Sequence, residues 1–192
     1  AADVSYRTRK YLFGTRLNSS VTDQPSEPTK ARQSVGLNYQ RFRPNRWFTD
    51  WFTTWEKNDE LGIGGRTAAG VALGRYLTQT NKSQFSLALG AQGARTSYIG
   101  EDESTTEAEG RIEARYLRRR LTPETSLRFT TTIYPLLDDV SQYRAESDFN
   151  LRWEVFEDLF LDMGVGVSYI SDPPTGAANS DYTATTSIGY SF

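Results

Sequence analysis

The segment 181–192 alternates between two kinds of side chain. One face carries Tyr182, Ala184, Thr186, Ile188, Tyr190 and Phe192, and the other carries Asp181, Thr183, Thr185, Ser187, Gly189 and Ser191. A period of two is the mark of a β-strand with one apolar and one polar face. Such a strand needs a sheet to pair its backbone, so this segment constrains the fold more than any other.

The same alternation recurs upstream and predicts about ten strands, an even number. Many of them reach the length that a tilted strand needs to cross a bilayer, about 9–11 residues. Polar segments separate them, and we expect the first to be a loop over 23–30 because it contains Pro25 and Pro28. The predicted strands cover residues 7–22, 34–40, 47–56, 67–74, 85–92, 107–116, 127–134, 143–154, 159–169 and 181–192.

These strands predict one all-β domain over residues 1–192, an antiparallel up-and-down transmembrane β-barrel of the outer-membrane type. Mean hydropathy is −0.60, and no apolar run approaches the roughly 18 residues of a membrane helix. A barrel tolerates this low value because only alternate residues face lipid. The net charge of −2 gives no basic field for nucleic acid, which we do not expect as a partner.

The lengths of the connections predict the orientation. Connections after the even-numbered predicted strands are short, whereas most of the others are longer and rich in Asp, Glu, Pro and Gly. Outer-membrane barrels have short periplasmic turns and longer extracellular loops. We therefore expect the bacterial outer membrane as the location, with both termini in the periplasm.

Aromatic side chains at the ends of the apolar face predict two membrane-interface girdles. Near the short turns they are Tyr39, Trp47, Tyr116, Trp153, Tyr190 and Phe192, and near the long loops Trp55, Tyr143, Tyr169 and Tyr182. The alternative is a soluble β-barrel or sandwich, in which the apolar face packs inward. Strands longer than the usual five or six residues and charged opposite faces favour the membrane interpretation.

The C-terminal part of the chain resembles a known family. The block from Tyr143 onward contains Asp148-Phe149, a short turn at Glu157-Asp158, the run from Gly164 to Tyr169, Ser171-Asp172-Pro173-Pro174, and the ending Ser187-Ile188-Gly189-Tyr190-Ser191-Phe192. It is similar to the DUF481 family, also called the YdiY-like or salt-induced outer-membrane proteins. The resemblance implies a porin-like membrane protein of the Gram-negative envelope, and it implies no catalytic residues.

Charged residues on the polar faces would line the barrel lumen. Their signs are mixed along each strand, which favours cross-strand pairing into a network that fills the barrel. The alternatives are a narrow polar pore or a ligand site. The predicted lumen-lining charges are Arg16, Asp50, Glu56, Glu107, Glu109, Arg111, Glu113, Arg115, Arg128, Arg144, Glu146, Asp148, Arg152, Glu154 and Asp162.

An enzyme is not expected, because the chain has no histidine and no cysteine. Their absence removes the usual nucleophile–base pairs and the commonest zinc ligand. The adjacent acids Asp138-Asp139 and Asp59-Glu60 are typical of solvated loops. We predict no cofactor and no metal site.

The expected partners belong to the envelope. Outer-membrane lipid would surround the barrel, and Glu101-Asp102-Glu103 would meet lipopolysaccharide through divalent cations or remain a hydrated loop. The arginines Arg41, Arg43, Arg46 and Arg118 to Arg120 would meet anionic head groups or a periplasmic partner. The closing strand resembles the signal that the barrel-assembly machinery reads.

The predicted function is an outer-membrane barrel with a charged, salt-bridge-filled lumen that serves a structural, stress-related or partner-binding role in the envelope. The alternative function is a narrow channel for ions or small polar solutes. The two differ in whether the lumen conducts.

Overall fold

A computed structural model of the chain describes residues 2–24, 27–100, 103–122, 124–156, 159–173 and 177–190. Within these ranges the chain is almost entirely strand, with one short 3-10 turn at Pro44–Arg46. The strands are β1 (Ala2–Arg7), β2 (Tyr11–Gln24), β3 (Glu27–Phe42), β4 (Trp47–Asn58), β5 (Ile63–Gln79), β6 (Ser83–Tyr98), β7 (Ser104–Thr122), β8 (Thr125–Pro135), β9 (Tyr143–Phe156), β10 (Leu159–Ile170) and β11 (Ser180–Tyr190).

All described strands belong to one sheet, in which sequence neighbours are spatial neighbours from β1 to β11. Every pairing between the described strands is antiparallel, as the up-and-down prediction requires. The sheet curls into a half-barrel, so that strands at its two ends meet across its concave side. In the described ranges, β1 and β11 form its two edges and do not pair with each other.

The predicted number of about ten strands was wrong, since the described residues form a sheet of 11 strands. The missed strand is β1, in which Val4 and Tyr6 face outward and Asp3 pairs with Arg16 of β2. It is only 6 residues long, too short for alternation to stand out from the flanking polar sequence. Pairing with β2 supplies the backbone hydrogen bonds that this short segment could not make alone.

The predicted loop over 23–30 was also wrong. Strand β2 continues to Gln24 and β3 begins at Glu27, where these two residues pair directly. Pro25 lies outside the described residues. The ladder therefore continues almost to the tip of the hairpin, which satisfies more backbone hydrogen bonds than an open polar loop would.

The sheet has two different ends. We call the end with the connections 8–10, 43–46 and 80–82 the turn end, and the end with 59–62, 136–142 and 171–179 the loop end. Tyr190 lies at the turn end, beside Leu159, whereas Ala2 pairs with Leu17, within the length of β2. In the turn 43–46, Asn45 and Arg46 both adopt positive φ angles of 58° and 65°, which tightens the connection between β3 and β4.

The register keeps one continuous face on the concave side, which we call the inner face. Its apolar core consists of Phe48, Phe52, Ala72, Tyr76 and Ala88. Phe48 and Phe52 pair with glycines on β5, at Gly74 and Gly70, and a methyl group at either glycine would collide with the ring opposite. The missing side chains therefore make room for the aromatic rings.

The opposite, outer face is apolar and exposed. Leu73, Leu89 and Val71 expose 50%, 64% and 45% of their surface. The buried set, by contrast, includes Asp50, Arg66, Glu109 and Glu113. No described helix has the length and the apolar character needed to cross a membrane.

Candidate functional site: the inner ion-pair network

The inner face carries linked ion pairs, which we call the inner network. It begins at Arg66 of β5, whose Nη2 lies 2.6 Å from both carboxylate oxygens of Glu109 on β7. The side chain of Gln92, on the intervening strand β6, donates to the same carboxylate at 2.6 Å. The exposed side-chain fractions of Arg66 and Glu109 are only 4% and 6%. Such a buried charge persists only when it is paired and hydrogen-bonded.

The network crosses the concave side through Glu56 of β4. Arg144 of β9 donates to Glu56 at 2.7 Å and to Glu146 on its own strand at 2.6 Å, while Arg66 lies 3.8 Å from Glu56. The guanidinium of Arg144 also lies 4.5 Å from the ring centroid of Tyr134. Residues 88 positions apart in sequence thus join opposite walls of the curled sheet.

A second group of charges lies nearer the turn end. Arg111 and Arg115 of β7 both donate to Glu113 between them, at 2.5 and 3.0 Å. Arg115 also reaches Asp50 of β4 at 3.4 Å, and Arg111 lies 3.9 Å from the ring centroid of Phe52. Positive and negative groups alternate here, so the local charge is close to balanced.

A third group joins the two ends of the sheet. Arg32 of β3 donates to Asp181 of β11 at 3.0 Å and to the hydroxyl groups of Thr183 and Ser168. Asn58 donates to Asp181 at 2.8 Å. These contacts bring β3 and β4 against β10 and β11 at the loop end.

Three predicted lumen charges, Arg16, Arg152 and Asp162, take part in two ion pairs on more exposed parts of the inner face. Arg152 donates twice to Asp162, at 2.9 and 2.8 Å. Arg16 lies 3.1 Å from Asp3, with side-chain exposures of 54% and 49%. Surface pairs of this kind contribute little to stability.

Four other predicted lumen charges make no ion pair within the described part of the chain. By register they lie on the inner face. Glu107 is half-buried, whereas Arg128, Asp148 and Glu154 are exposed. They form no ion pair with the network within the described residues.

Sequence reasoning missed Arg66, Arg32 and Asp181. Arg66 lies one position before the predicted strand 67–74 and on the same face as Ala68 and Ala72. Extending the alternation by one residue would have placed it on the inner face. Arg32 of β3 lies two positions before the predicted strand 34–40 and on the same face as Ser34. Asp181 was placed on the polar face, but its partner is 149 residues away, which no local pattern reveals.

Some buried polar atoms of this face have no partner among the described residues. They are Nε2 of Gln40, Oδ1 of Asp50 and Nε of Arg144. Gln40 accepts a hydrogen bond from the Tyr76 hydroxyl at 3.2 Å through its other amide atom. Buried polar groups need partners, so these atoms mark places for ordered water.

The predicted girdle aromatics lie on the outer face. Near the turn end the rings of Tyr39 and Trp51 are 5.6 Å apart, and near the loop end those of Tyr143 and Tyr169 are 5.7 Å apart. The exposed members are Tyr39, Trp47, Trp55, Tyr143, Trp153, Tyr182 and Tyr190, while Tyr116 and Tyr169 are half-buried. Phe192 lies outside the described residues.

The acidic loops have mainly local contacts. Asp59 accepts a hydrogen bond from the Ala31 amide at 2.8 Å. The Ser141 hydroxyl and amide donate to Asp139 at 2.6 and 3.0 Å, which lowers the pKa of Asp139 below its usual value. Glu101 and Asp102 lie outside the described residues. Within the described ranges, no group of three acidic side chains is arranged to hold a metal ion.

The curled antiparallel sheet is similar to the fold of a known class of proteins, the porins. A solved structure of the NanC porin, in a rhombohedral crystal form, is similar to this chain with a TM-score of 0.56 and 12% sequence identity. The likeness covers 99% of this chain and 91% of that chain. The chain therefore has a porin-like all-β fold. No curated protein matches it.

The family follows from the sequence itself. The model of the family described as "Protein of unknown function, DUF481" matches residues 1–192. The chain belongs to this family, as its C-terminal motifs predicted.

Proposed function

We propose that this chain is an integral outer-membrane β-barrel with a structural role in the envelope. The observation that carries this proposal is the inverted polarity of the sheet. Charged side chains such as Arg66 and Glu109 are buried inside, while large apolar side chains such as Leu89 are exposed outside. Soluble monomers rarely expose a continuous apolar surface of this kind, whereas a membrane barrel requires one.

The spacing of the outer aromatics supports the same proposal. Trp47 and Trp55 lie on one outer row of β4, eight positions apart, which is about 27 Å along a strand. The apolar band of outer-membrane barrels is about 25 Å tall and has aromatic residues at both borders. Strand tilt shortens the vertical distance between the two rings, so both fall within such a band.

Closure of the sheet is part of the proposal. Open sheet edges do not occur in the hydrocarbon region, because nothing there satisfies their backbone groups. The free edges of β1 and β11 in the described residues would therefore be joined in the membrane. Since these two strands run in the same direction, antiparallel closure requires a further strand between them.

The inner network favours a structural role over conduction. Its charges are paired across β4, β5, β7 and β9, and Phe48, Phe52 and Tyr134 fill the space around them. Moving an ion past these groups would require breaking pairs of opposite sign. A wall of balanced charge also provides no one-sign selectivity filter. We propose that the barrel serves as a rigid support for an envelope protein partner, including under stress.

A narrow channel is the second candidate. The inner face of β8, β9 and β10 supports it, because Arg128, Asp148 and Glu154 are exposed there and make no ion pair within the described residues. The similarity of the fold to that of a porin also supports a channel. A solute path would run along this wall, opposite the packed core of β4 to β7.

The membrane proposal is tested by expressing the chain behind a cleavable bacterial export signal and fractionating the envelope. We expect the protein in the outer membrane, resistant to carbonate extraction, with a folded form that migrates differently on gels before and after heating. Release by carbonate as a water-soluble protein would exclude the proposal.

The choice between the two functions is tested by single-channel recording in planar bilayers. We expect the wild type to be silent and the Arg111→Ala/Arg115→Ala variant to conduct, because the latter removes two charges that fill the inner face. Arg75→Ala is the matched control, since Arg75 lies on the outer face against Trp47. Steady conductance in the wild type would instead establish the channel.

A further inference from the structure

A basic cavity opens at the turn end of the inner face. It has a volume of about 670 Å³ and is formed by the connections 8–10 and 43–46 together with the ends of β1, β3 and β5. Four of its lining residues are Arg7, Arg9, Arg43 and Arg46. Among the described residues, none of these arginines forms an ion pair with a carboxylate, and no acidic residue lines the cavity.

Basic residues are concentrated in three turns at this end of the sheet. The three turns 8–10, 43–46 and 80–82 contain five basic residues and no acidic residue, although the whole chain has a net charge of −2. The turn between β7 and β8 at the same end contains Glu124, which does not line the cavity. A concave surface lined by one sign of charge concentrates counter-ions of the opposite sign. The cavity is therefore built for an anion.

The arginines keep donors available. Arg43 uses its Nε to donate to the Thr49 hydroxyl at 2.7 Å, and Arg46 makes one long contact of 3.4 Å to a backbone carbonyl. An arginine carries five N–H donors and loses none of them near neutral pH. Most of the donors in the cavity thus have no partner within the described part of the chain.

The walls of the cavity are partly aromatic. The guanidinium of Arg7 lies 4.8 Å from the ring centroid of Phe42, which fixes its position over an apolar surface. The buried Tyr76 and the exposed Trp47 complete this side. The volume is within the range of small-molecule sites, about 300–1,000 Å³, so an anionic group would enter with a larger body attached.

We propose that this cavity binds a phosphate group. Several guanidinium groups without acidic partners match an anion that carries up to two charges and several acceptor oxygens. A single carboxylate has one charge and two oxygens, and would leave most of the donors without a partner. The phosphate would belong either to a soluble phosphorylated molecule or to the head group of a phospholipid, and the experiment distinguishes these sources.

The first arm uses the full chain folded in a zwitterionic detergent and inorganic phosphate as the probe in calorimetry. We expect saturable binding that weakens as sodium chloride is added, and at least about tenfold weaker binding in Arg9→Gln/Arg43→Gln. The matched control is Arg118→Gln/Arg119→Gln, which removes two charges near the same end, outside the cavity. We expect its affinity to stay within about twofold of the wild type. This arm does not depend on the membrane proposal.

The second arm compares nanodiscs of phosphatidylcholine with nanodiscs that also contain phosphatidylglycerol. Weaker binding of inorganic phosphate in the anionic nanodiscs that persists at high sodium chloride, where repulsion by the bilayer surface is screened, would assign the site to lipid head groups. Equal binding in both would assign it to soluble phosphates. The proposal is overturned if phosphate does not bind saturably, or if the control variant loses affinity as strongly as the cavity variant. Heat-modifiable migration of each variant verifies that it is folded.

Discussion

Replacement of Arg66 tests whether the inner network stabilises the protein. Its Nη2 lies 2.6 Å from both oxygens of Glu109. Arg66→Met keeps much of the aliphatic volume but leaves this carboxylate buried, with only the amide of Gln92 as a strong donor. Glu56 is affected less, because Arg144 still contacts it at 2.7 Å. Removing one partner of a buried pair costs about 3–5 kcal/mol, so we expect the free energy of unfolding to fall by about that amount.

The matched control is Arg152→Met. Arg152 also forms two short hydrogen bonds with a carboxylate on the neighbouring strand, but 53% of its side chain is exposed. Exposed pairs contribute about 0–1 kcal/mol. Urea unfolding in lipid vesicles, followed by tryptophan fluorescence, measures both variants. Equal losses, or a loss below about 1 kcal/mol for Arg66→Met, would contradict the buried network. The double variant Arg66→Met/Glu109→Met removes both charges and is expected to recover much of the stability.

Three further predictions concern other parts of the sheet. Gly70→Ala places a methyl group against the backbone carbonyl of the next strand, and it is expected to lower the free energy of unfolding in urea by about 1–3 kcal/mol. Gly93→Ala places its methyl group in open space and should be nearly neutral. Equal effects of the two variants would refute this prediction. Ser141→Ala removes a hydroxyl donor and should raise the pKa of Asp139 towards its usual value, measured by NMR titration; an unchanged pKa would show that the hydrogen bond is absent. Leu89 lies on the exposed outer face. If it lies at mid-bilayer, Leu89→Arg should lower the free energy of unfolding in vesicles by about 2–4 kcal/mol. An unchanged free energy of unfolding would argue against lipid contact at this position.

The sequence predicted the central strands well for a physical reason. In β4 to β7 one face is apolar and the other polar or small, so the period of two is strong where the two environments differ most. Trp47, Trp51 and Trp55 all face outward as expected. Strand β1 has only 6 residues, too few for the same contrast to show.

The site was only partly accessible from the sequence. Alternation placed Glu109 and Glu113 on the inner face because that property is local. The partners depend on curvature, which brings Arg32 to Asp181 across 149 positions. Arg66 lies one residue before the predicted strand and follows Gly64 and Gly65, which carry no side chain to mark a face. Local periodicity carries no information about such pairs.

The central claim is that the outer face of the sheet contacts lipid. Because the chain has no cysteine, a single nitroxide label can be introduced at each position from 85 to 92 of β6. Electron paramagnetic resonance in lipid vesicles then measures the accessibility of each label to oxygen, which concentrates in hydrocarbon, and to a water-soluble nickel complex. We predict a period of two, with high oxygen accessibility at Leu87 and Leu89 and low accessibility at Ala88. Labels at Leu87 and Leu89 that are accessible to nickel rather than oxygen would contradict the claim.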